Sequence, residues 1–203
     1  MSAPADGLRI LAADEDRGAL ERTTEILRRL GHQVTATAVD LAEATEAVAR
    51  EDPDLAVVVA HNDDEHALGL IDEIGAFSRG PVIVLLAHDD PELVRRAADR
   101  GIYAAVREID ERSLQDAIEV ALRRHAEQTR LTEQVDRLET ALERRALIER
   151  AKGIIMERHG LGDREAFDML RGHARSRSKS VVEIAAAVAD GHALLGERDA
   201  RGD

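Results

Sequence analysis

Hydrophobic and polar residues alternate in blocks from position 8 to about position 121 of the chain. Short apolar runs bounded by turn residues predict buried strands, and the segments between them carry hydrophobic residues at helical spacing. The predicted strands are 8–13, 32–38, 55–60, 81–87 and 103–106, and the predicted helices are 17–30, 41–50, 68–78, 91–100 and one that begins near 111. Because the central strands are apolar throughout, we expect an α/β fold: a doubly wound, five-stranded parallel sheet with helices on both faces.

The pattern changes between residues 113 and 153, where the chain is highly charged and contains neither proline nor glycine before Gly153. Four apolar residues spaced 4, 3 and 4 apart, Leu131, Val135, Leu138 and Leu142, predict a short coiled-coil seam. We expect the last helix of the first domain to continue into this seam and to dimerise there with a second copy of the chain. The alternative is a helix that packs back against its own domain.

A compact all-α module of three short helices is predicted at the end of the chain. One helix covers 146–158, a second begins at Asp163 as its N-cap and ends near 174, and a third opens with the capping box Ser180-Val-Val-Glu183. We therefore expect an α/β domain at 1–123, a coiled-coil linker at 124–145, the helical module at 146–195 and a disordered tail at 196–203.

The composition indicates a soluble protein of the reducing cytoplasm. The chain has 203 residues, no cysteine and a formal net charge of −13, which excludes disulfides and thiolate metal sites. No signal peptide and no apolar run of about 18 residues is visible. The acidic balance argues against indiscriminate binding to nucleic acid. Residues 171–179, however, hold four cations and no acid, which indicates either a solvated face or a confined binding surface.

Three apolar strands carry a family resemblance in the first domain. The segments RILAADED (9–16), PDLAVVVA (53–60) and PVIVLLA (81–87) resemble the receiver domain of two-component response regulators. In that family two acids hold Mg²⁺, an aspartate that ends the third strand accepts the phosphoryl group, and a Ser or Thr and a lysine end the fourth and fifth strands. The corresponding positions here are Asp14, Glu15, Val59, Leu86 and Glu108.

Only the acidic pair keeps the residue types that this chemistry needs. A register shift of one residue places Ala60 at the acceptor position and Arg107 at the lysine position, and an aliphatic residue occupies the acceptor position in either register. Losing the aspartate also removes an oxygen ligand for Mg²⁺. We therefore expect a pseudo-receiver without phosphorylation, metal or cofactor, controlled by an unknown protein or small-molecule signal. His61, Asp63 and Asp64 are minor alternative acceptors, since such loop residues are more often plain surface.

The helical module carries a second resemblance. AKGI (151–154), EAF (165–167), LR (170–171) and VEIA (182–185) occur at the spacing of the ANTAR domain, and the module resembles that domain over its whole length. A receiver, a coiled coil and this module in that order are similar to the ANTAR antitermination regulators. The resemblance implies a dimer that binds paired hairpins in nascent mRNA, so that a terminator does not form.

A helical projection at about 100° per residue predicts which residues would face the RNA. Lys152 falls at the edge of the apolar stripe, and Gly153 and Met156 fall outside it, which predicts a second face that the module's own core does not use. Glycine admits the close approach of another backbone, and lysine suits phosphate or a base edge. We expect Arg171 on the second helix and the remaining cations in the turn after it. The predicted RNA-binding residues are Lys152, Gly153, Met156, Arg171, Arg175, Arg177 and Lys179.

Three functions fit these features to different degrees. An RNA-binding antiterminator with a phosphorylation-independent receiver agrees with all of them. A signalling adaptor whose helical module contacts protein is the alternative, and a DNA-binding regulator is less favoured because no helix shows a polar recognition face. An enzyme is not expected, since no catalytic triad order, zinc-spaced histidine pair or glycine-rich phosphate loop occurs in the sequence.

Overall fold

The computed structural model describes residues 7–61, 64–107 and 109–196. Asp63, Glu108 and the predicted tail beyond 196 lie outside these described residues, and so do the first six positions. No helix within the described ranges is long and apolar enough to cross a membrane. The chain divides into two compact units, with the boundary in the sequence between Arg130 and Leu131.

Strands and helices alternate in the first unit, as the hydrophobic pattern predicts. The elements are β1 Arg9–Ala13, α1 Arg17–Arg29, β2 Gln33–Ala38, α2 Leu41–Glu51, β3 Leu55–Ala60, α3 Asp64–Phe77, β4 Val82–Leu86, α4 Pro91–Asp99 and β5 Ala104–Val106, followed by α5 Glu111–His159, α6 Asp163–Ser176 and α7 Val181–Gly196. The five strands are parallel and lie in the order β2-β1-β3-β4-β5. This confirms the predicted doubly wound sheet.

Successive residues of each strand serve two separate cores. In β1, Leu11 and Ala13 pack with α2, α3 and α4 on one face of the sheet, whereas Ile10 and Ala12 pack with α1 and the start of α5 on the other. Side chains alternate between the two faces along a strand. A strand that helices cover on both faces therefore needs an apolar residue at every position. The fully buried β3 and β4 meet this condition.

Aspartates begin the helices that follow the carboxyl ends of the strands. The side chains of Asp16, Asp40 and Asp90 accept hydrogen bonds from backbone N–H groups in the first turns of α1, α2 and α4. Asp110 accepts from the N–H groups of residues 112 and 113 at the start of α5. These caps satisfy N–H groups that a helix start otherwise leaves unpaired. They therefore contribute to the geometry of the edge at which a receiver carries its chemistry.

Helix α5 is continuous over 49 residues. It contains the predicted seam and the predicted first module helix without a break, and it ends at His159. Gly160 follows with a φ of 64°, a left-handed conformation that glycine adopts without strain. In the second unit, α6 and α7 pack on the last part of α5 around Ala151, Leu170 and Ala185.

Candidate nucleic-acid interface

The carboxyl edge of the sheet holds buried aliphatic side chains where a receiver carries its phosphorylation site. Val59 is 3 % exposed and Leu86 is 2 % exposed, and each belongs to one of the two sheet cores. Ala60 is buried as well, so a buried aliphatic residue occupies the acceptor position in either register. The side chain of Arg107 pairs with Asp89 at 2.9 Å.

The acidic pair splits into one buried and one exposed residue. Asp14 is fully buried, and its Oδ1 accepts a hydrogen bond from the Asp16 backbone N–H at 2.8 Å and lies 2.8 Å from Nε2 of His61. Its Oδ2 has no hydrogen-bond partner among the described residues. Burial raises the pKa of Asp14, while the hydrogen bond from Asp16 and the proximity of His61 oppose that rise. Glu15 is exposed.

This contact changes the interpretation of His61, which the sequence places as plain surface. Its side chain is only 21 % exposed and contacts the buried carboxylate directly. No group of three or more side chains able to hold a metal ion occurs in the described parts of the chain.

Lys152 differs most from its predicted environment. The residue is 8 % exposed, and its Nζ lies 3.2 and 3.0 Å from the two carboxylate oxygens of Glu149 and 2.5 Å from Oδ1 of Asp163. The hydrogen bonds to Asp163 and Glu149 raise the pKa of the lysine. Instead of standing on a face that the module does not use, Lys152 connects α5 with the first residue of α6.

Met156 also departs from the predicted face, whereas Gly153 agrees with it. Met156 is half-buried and packs against the module core. Gly153 is exposed, and a Cβ built there would meet nothing within 4 Å. Two helices cover α5 in the module, so its buried face is wider than the apolar stripe seen in projection. The predicted second face therefore consists of Gly153 alone.

The remaining predicted RNA-binding residues are exposed. Arg171 lies on α6 as expected, but α6 continues to Ser176, so Arg175 lies in its last turn and not in the connection. Arg177 is the C-cap of α6, and Lys179 closes the turn with a backbone hydrogen bond to the carbonyl of Ala174 at 3.0 Å. Within the described ranges none of these four cations forms an ion pair.

Glu149 and Asp163 are residues that the sequence reasoning missed. Asp163 was expected to be the N-cap of α6, but Gly162 is the N-cap and the Asp163 carboxylate binds Lys152. The signal for Glu149 was present, because a glutamate three residues before a lysine on a helix commonly pairs with it. The capping box at Ser180 and Glu183 is present as predicted.

The seam residues of α5 are exposed in the single chain. Leu131, Val135, Leu138 and Leu142 have exposed fractions of 48, 51, 65 and 66 %. A row of four exposed aliphatic side chains on one helix face is unusual for a surface that water covers. The seam is therefore available to a second helix.

Comparison with known proteins identifies a domain family and a relative of this chain. The ANTAR domain model matches residues 136–188. The chain is 32 % identical over 181 residues to the transcriptional regulatory protein PdtaR of Mycobacterium tuberculosis, in strains CDC 1551 / Oshkosh and ATCC 25618 / H37Rv, and the match covers 89 % of this chain and 88 % of the relative.

Solved structures agree with the fold of the first unit. The signal receiver domain of a modulated diguanylate cyclase from Desulfovibrio desulfuricans G20 superposes with a TM-score of 0.54 at 20 % identity, covering 61 % of this chain and 99 % of that one. A CheY-like receiver domain from Methanospirillum hungatei JF-1 gives 0.52 at 21 % identity, covering 60 % and 98 %. With a receiver-like fold, a matching ANTAR domain and a relative aligned over most of both chains, this chain belongs to the ANTAR-domain response regulators, the family of the transcriptional regulator PdtaR.

Proposed function

We propose that this regulator binds RNA, as a dimer that recognises paired hairpins in nascent mRNA and prevents transcription termination. In this proposal residues 1–123 form a pseudo-receiver, 124–145 the coiled-coil linker and 146–195 the RNA-binding module. The observation that carries the proposal is the acid-free run 171–179, whose four cations are exposed, form no ion pair among the described residues and lie inside the segment that matches the ANTAR domain.

Helix α6 adds an aromatic residue to this surface. Arg164, Phe167, Arg171 and Arg175 follow one another at spacings of 3, 4 and 4, which places them along one side of the helix. Phe167 is half-buried, and the three arginines are exposed. Hairpin loops present splayed bases and phosphates, which aromatic rings and guanidinium planes stack on and hydrogen-bond.

The acidic remainder of the chain favours selective binding. With a net charge of −13, most of the protein surface repels a polyanion. RNA would then approach only through the short cationic surface on α6 and the turn after it. The exposed seam of α5 would join two chains and present two such surfaces, as the recognition of paired hairpins requires.

Titration of the full chain with RNA at several salt concentrations tests this proposal. The probes are an RNA with two hairpins in tandem and an unstructured RNA of equal length. We expect preference for the tandem hairpins, lost in Arg171→Ala and kept in the matched control Arg112→Ala, an exposed arginine at the start of α5. Each lost phosphate contact lowers the slope of log K against log salt by about 0.7 to 0.9. Equal binding of both RNAs contradicts the proposal and favours a protein-binding adaptor.

A separate experiment tests the phosphorylation-independent receiver. Val59 and Leu86 offer no oxygen to a phosphoryl donor, and both are buried. We expect no mass gain when the full chain is incubated with acetyl phosphate and Mg²⁺ and its intact mass is measured. A stable gain of one phosphoryl group contradicts this part of the proposal, and peptide mapping would then identify the acceptor.

A further inference from the structure

The ammonium group of Lys152 has no donor left for a ligand. A lysine ammonium carries three N–H donors, and three carboxylate oxygens lie within hydrogen-bonding distance of Nζ: both of Glu149, at 3.2 and 3.0 Å, and Oδ1 of Asp163, at 2.5 Å. The lysine side chain is 10 % exposed, whereas the side chains of Glu149 and Asp163 are 54 % and 69 % exposed. An RNA phosphate that approached Lys152 would first meet two carboxylates.

This set of three residues, the Lys152 bridge, crosses a weak connection in the module. Helix α5 ends before Gly160, which has a positive φ, and α6 begins after Gly162, which has no side chain of its own, so the local cap is the Glu165 carboxylate, which accepts from the Gly162 N–H at 2.9 Å. Two glycines within three residues leave the direction of α6 poorly determined by the local backbone. Among the described residues, Lys152 and Asp163 form the one ion pair that joins α5 to α6.

The Lys152 bridge holds the N-terminal end of α6, next to the first of the three arginines that lie along one side of this helix. Asp163 is the first residue of α6, directly before Arg164. Arg171 lies eight residues further along the same helix, about 12 Å at the rise of an α-helix. An α-helix is nearly rigid over this length. A change in the orientation of its first turn therefore moves every arginine that α6 carries.

We propose that Lys152 is a positioning residue of the RNA site: it aligns α6, and through α6 the arginines at 164, 171 and 175, without touching RNA itself. This rests on the proposed RNA binding and assigns new roles to Glu149 and Asp163. It replaces direct contact by Lys152, which the sequence pattern alone suggested.

The variant Asp163→Asn distinguishes the two roles because they predict opposite signs. If Lys152 contacts RNA, removing a competing carboxylate frees the lysine and strengthens binding. If Lys152 positions α6, the same change weakens binding to the tandem hairpin RNA, by about fivefold for an ion pair with solvent-exposed carboxylates. Asp163 is exposed, so the variant should fold, which circular dichroism checks. Tighter or unchanged binding overturns the inference.

Salt dependence and a charge exchange provide two independent readouts. Lys152→Met keeps most of the side-chain volume and is expected to weaken binding with the salt slope unchanged, whereas Arg171→Ala lowers the slope. A slope that falls by about 0.7 to 0.9 in Lys152→Met shows a direct phosphate contact and overturns the inference.

The double variant Lys152→Glu with Asp163→Lys restores a bridge in the reverse direction and should recover affinity. No recovery also contradicts positioning.

These outcomes separate the two proposals. If the wild-type chain does not prefer the tandem hairpins, RNA recognition fails and the positioning role fails with it. If the wild-type chain prefers them and Asp163→Asn binds more tightly, RNA recognition stands and only the positioning role is wrong.

Discussion

Replacing Asp14 by asparagine measures how much the burial of this carboxylate lowers the free energy of unfolding of the first unit. Asp14 is fully buried, and one of its oxygens has no hydrogen-bond partner among the described residues. A buried, unsatisfied polar group destabilises a protein by about 1 to 3 kcal/mol. The contact with His61 offsets part of this cost. Asparagine keeps the accepting oxygen, and its NH2 group takes the unpaired position of Oδ2, so only the cost of burying a charge is relieved; we expect Asp14→Asn to stabilise the first unit by about 1 kcal/mol at pH 7.

The pH dependence of this difference follows from the direction of the pKa shift. Burial raises the pKa of Asp14 in the folded state, so the folded state holds the proton more tightly than the unfolded state. The stability associated with protonated Asp14 is therefore complete below the unfolded pKa, about 3.9. It is lost as the pH rises through the folded pKa. Asparagine cannot ionise, so the advantage of the variant is absent below about pH 4 and complete above the folded pKa.

Tyrosine fluorescence during urea unfolding provides the assay. Tyr103 is the only tyrosine and the chain has no tryptophan, so the signal reports on the first unit alone. Glu15→Gln is the matched control, because Glu15 is exposed and its replacement should change stability by less than about 0.5 kcal/mol. If Asp14→Asn destabilises the unit at pH 7, or if the difference does not vary with pH, the pair with His61 outweighs burial and the reasoning is refuted.

Three further predictions concern the second unit. Leu142→Asp should convert a dimer into a monomer in sedimentation velocity because it places a charge in the seam, whereas Gln134→Asp should leave the dimer intact; a dimeric Leu142→Asp would exclude the seam as the interface. Ser180→Ala should lower stability by about 1 kcal/mol, as for other lost N-caps, in thermal unfolding followed by circular dichroism. The control Ser176→Ala removes only a hydrogen bond to a carbonyl near the end of α6, and equal effects would contradict the capping role. Leu170→Ala should cost about 2 to 5 kcal/mol, since Leu170 is fully buried; a loss below about 1 kcal/mol would show that the core of the module tolerates a cavity.

The fold was predictable because its signals are local. The strands β3 and β4 are apolar at every position, a pattern typical of a sheet buried on both faces. Asp90 followed by Pro91 predicts the start of α4, and the carboxylate indeed accepts from the first turn. The hydrophobic pattern predicts the start of α3 at 68, four residues after its actual start at Asp64, because the first turn is polar and carries no apolar periodicity.

The site was less predictable because it depends on contacts between helices. A projection of one helix placed Lys152 at the edge of an apolar stripe, which is correct, but Asp163 lies eleven residues further along and after a turn. No single-helix pattern shows that the two side chains meet. Likewise, Met156 is covered because α6 and α7 pack on α5, a property of the three helices together. The exposure of Arg171 and Lys179 was predictable, since an acid-free cationic run seldom lies in a core.

The burial of Lys152 gives the protein an unusually simple reactivity toward amine-specific reagents. Its only lysines are Lys152 and Lys179, and the first is held by two carboxylates while the second is exposed. Acylation requires a neutral, accessible amine, and the pKa of Lys152 is raised by its partners. Apart from the terminal amine, a mild acetylating reagent should therefore label Lys179 first. Protection of that one residue would then report, by peptide mass, whether the basic surface is occupied.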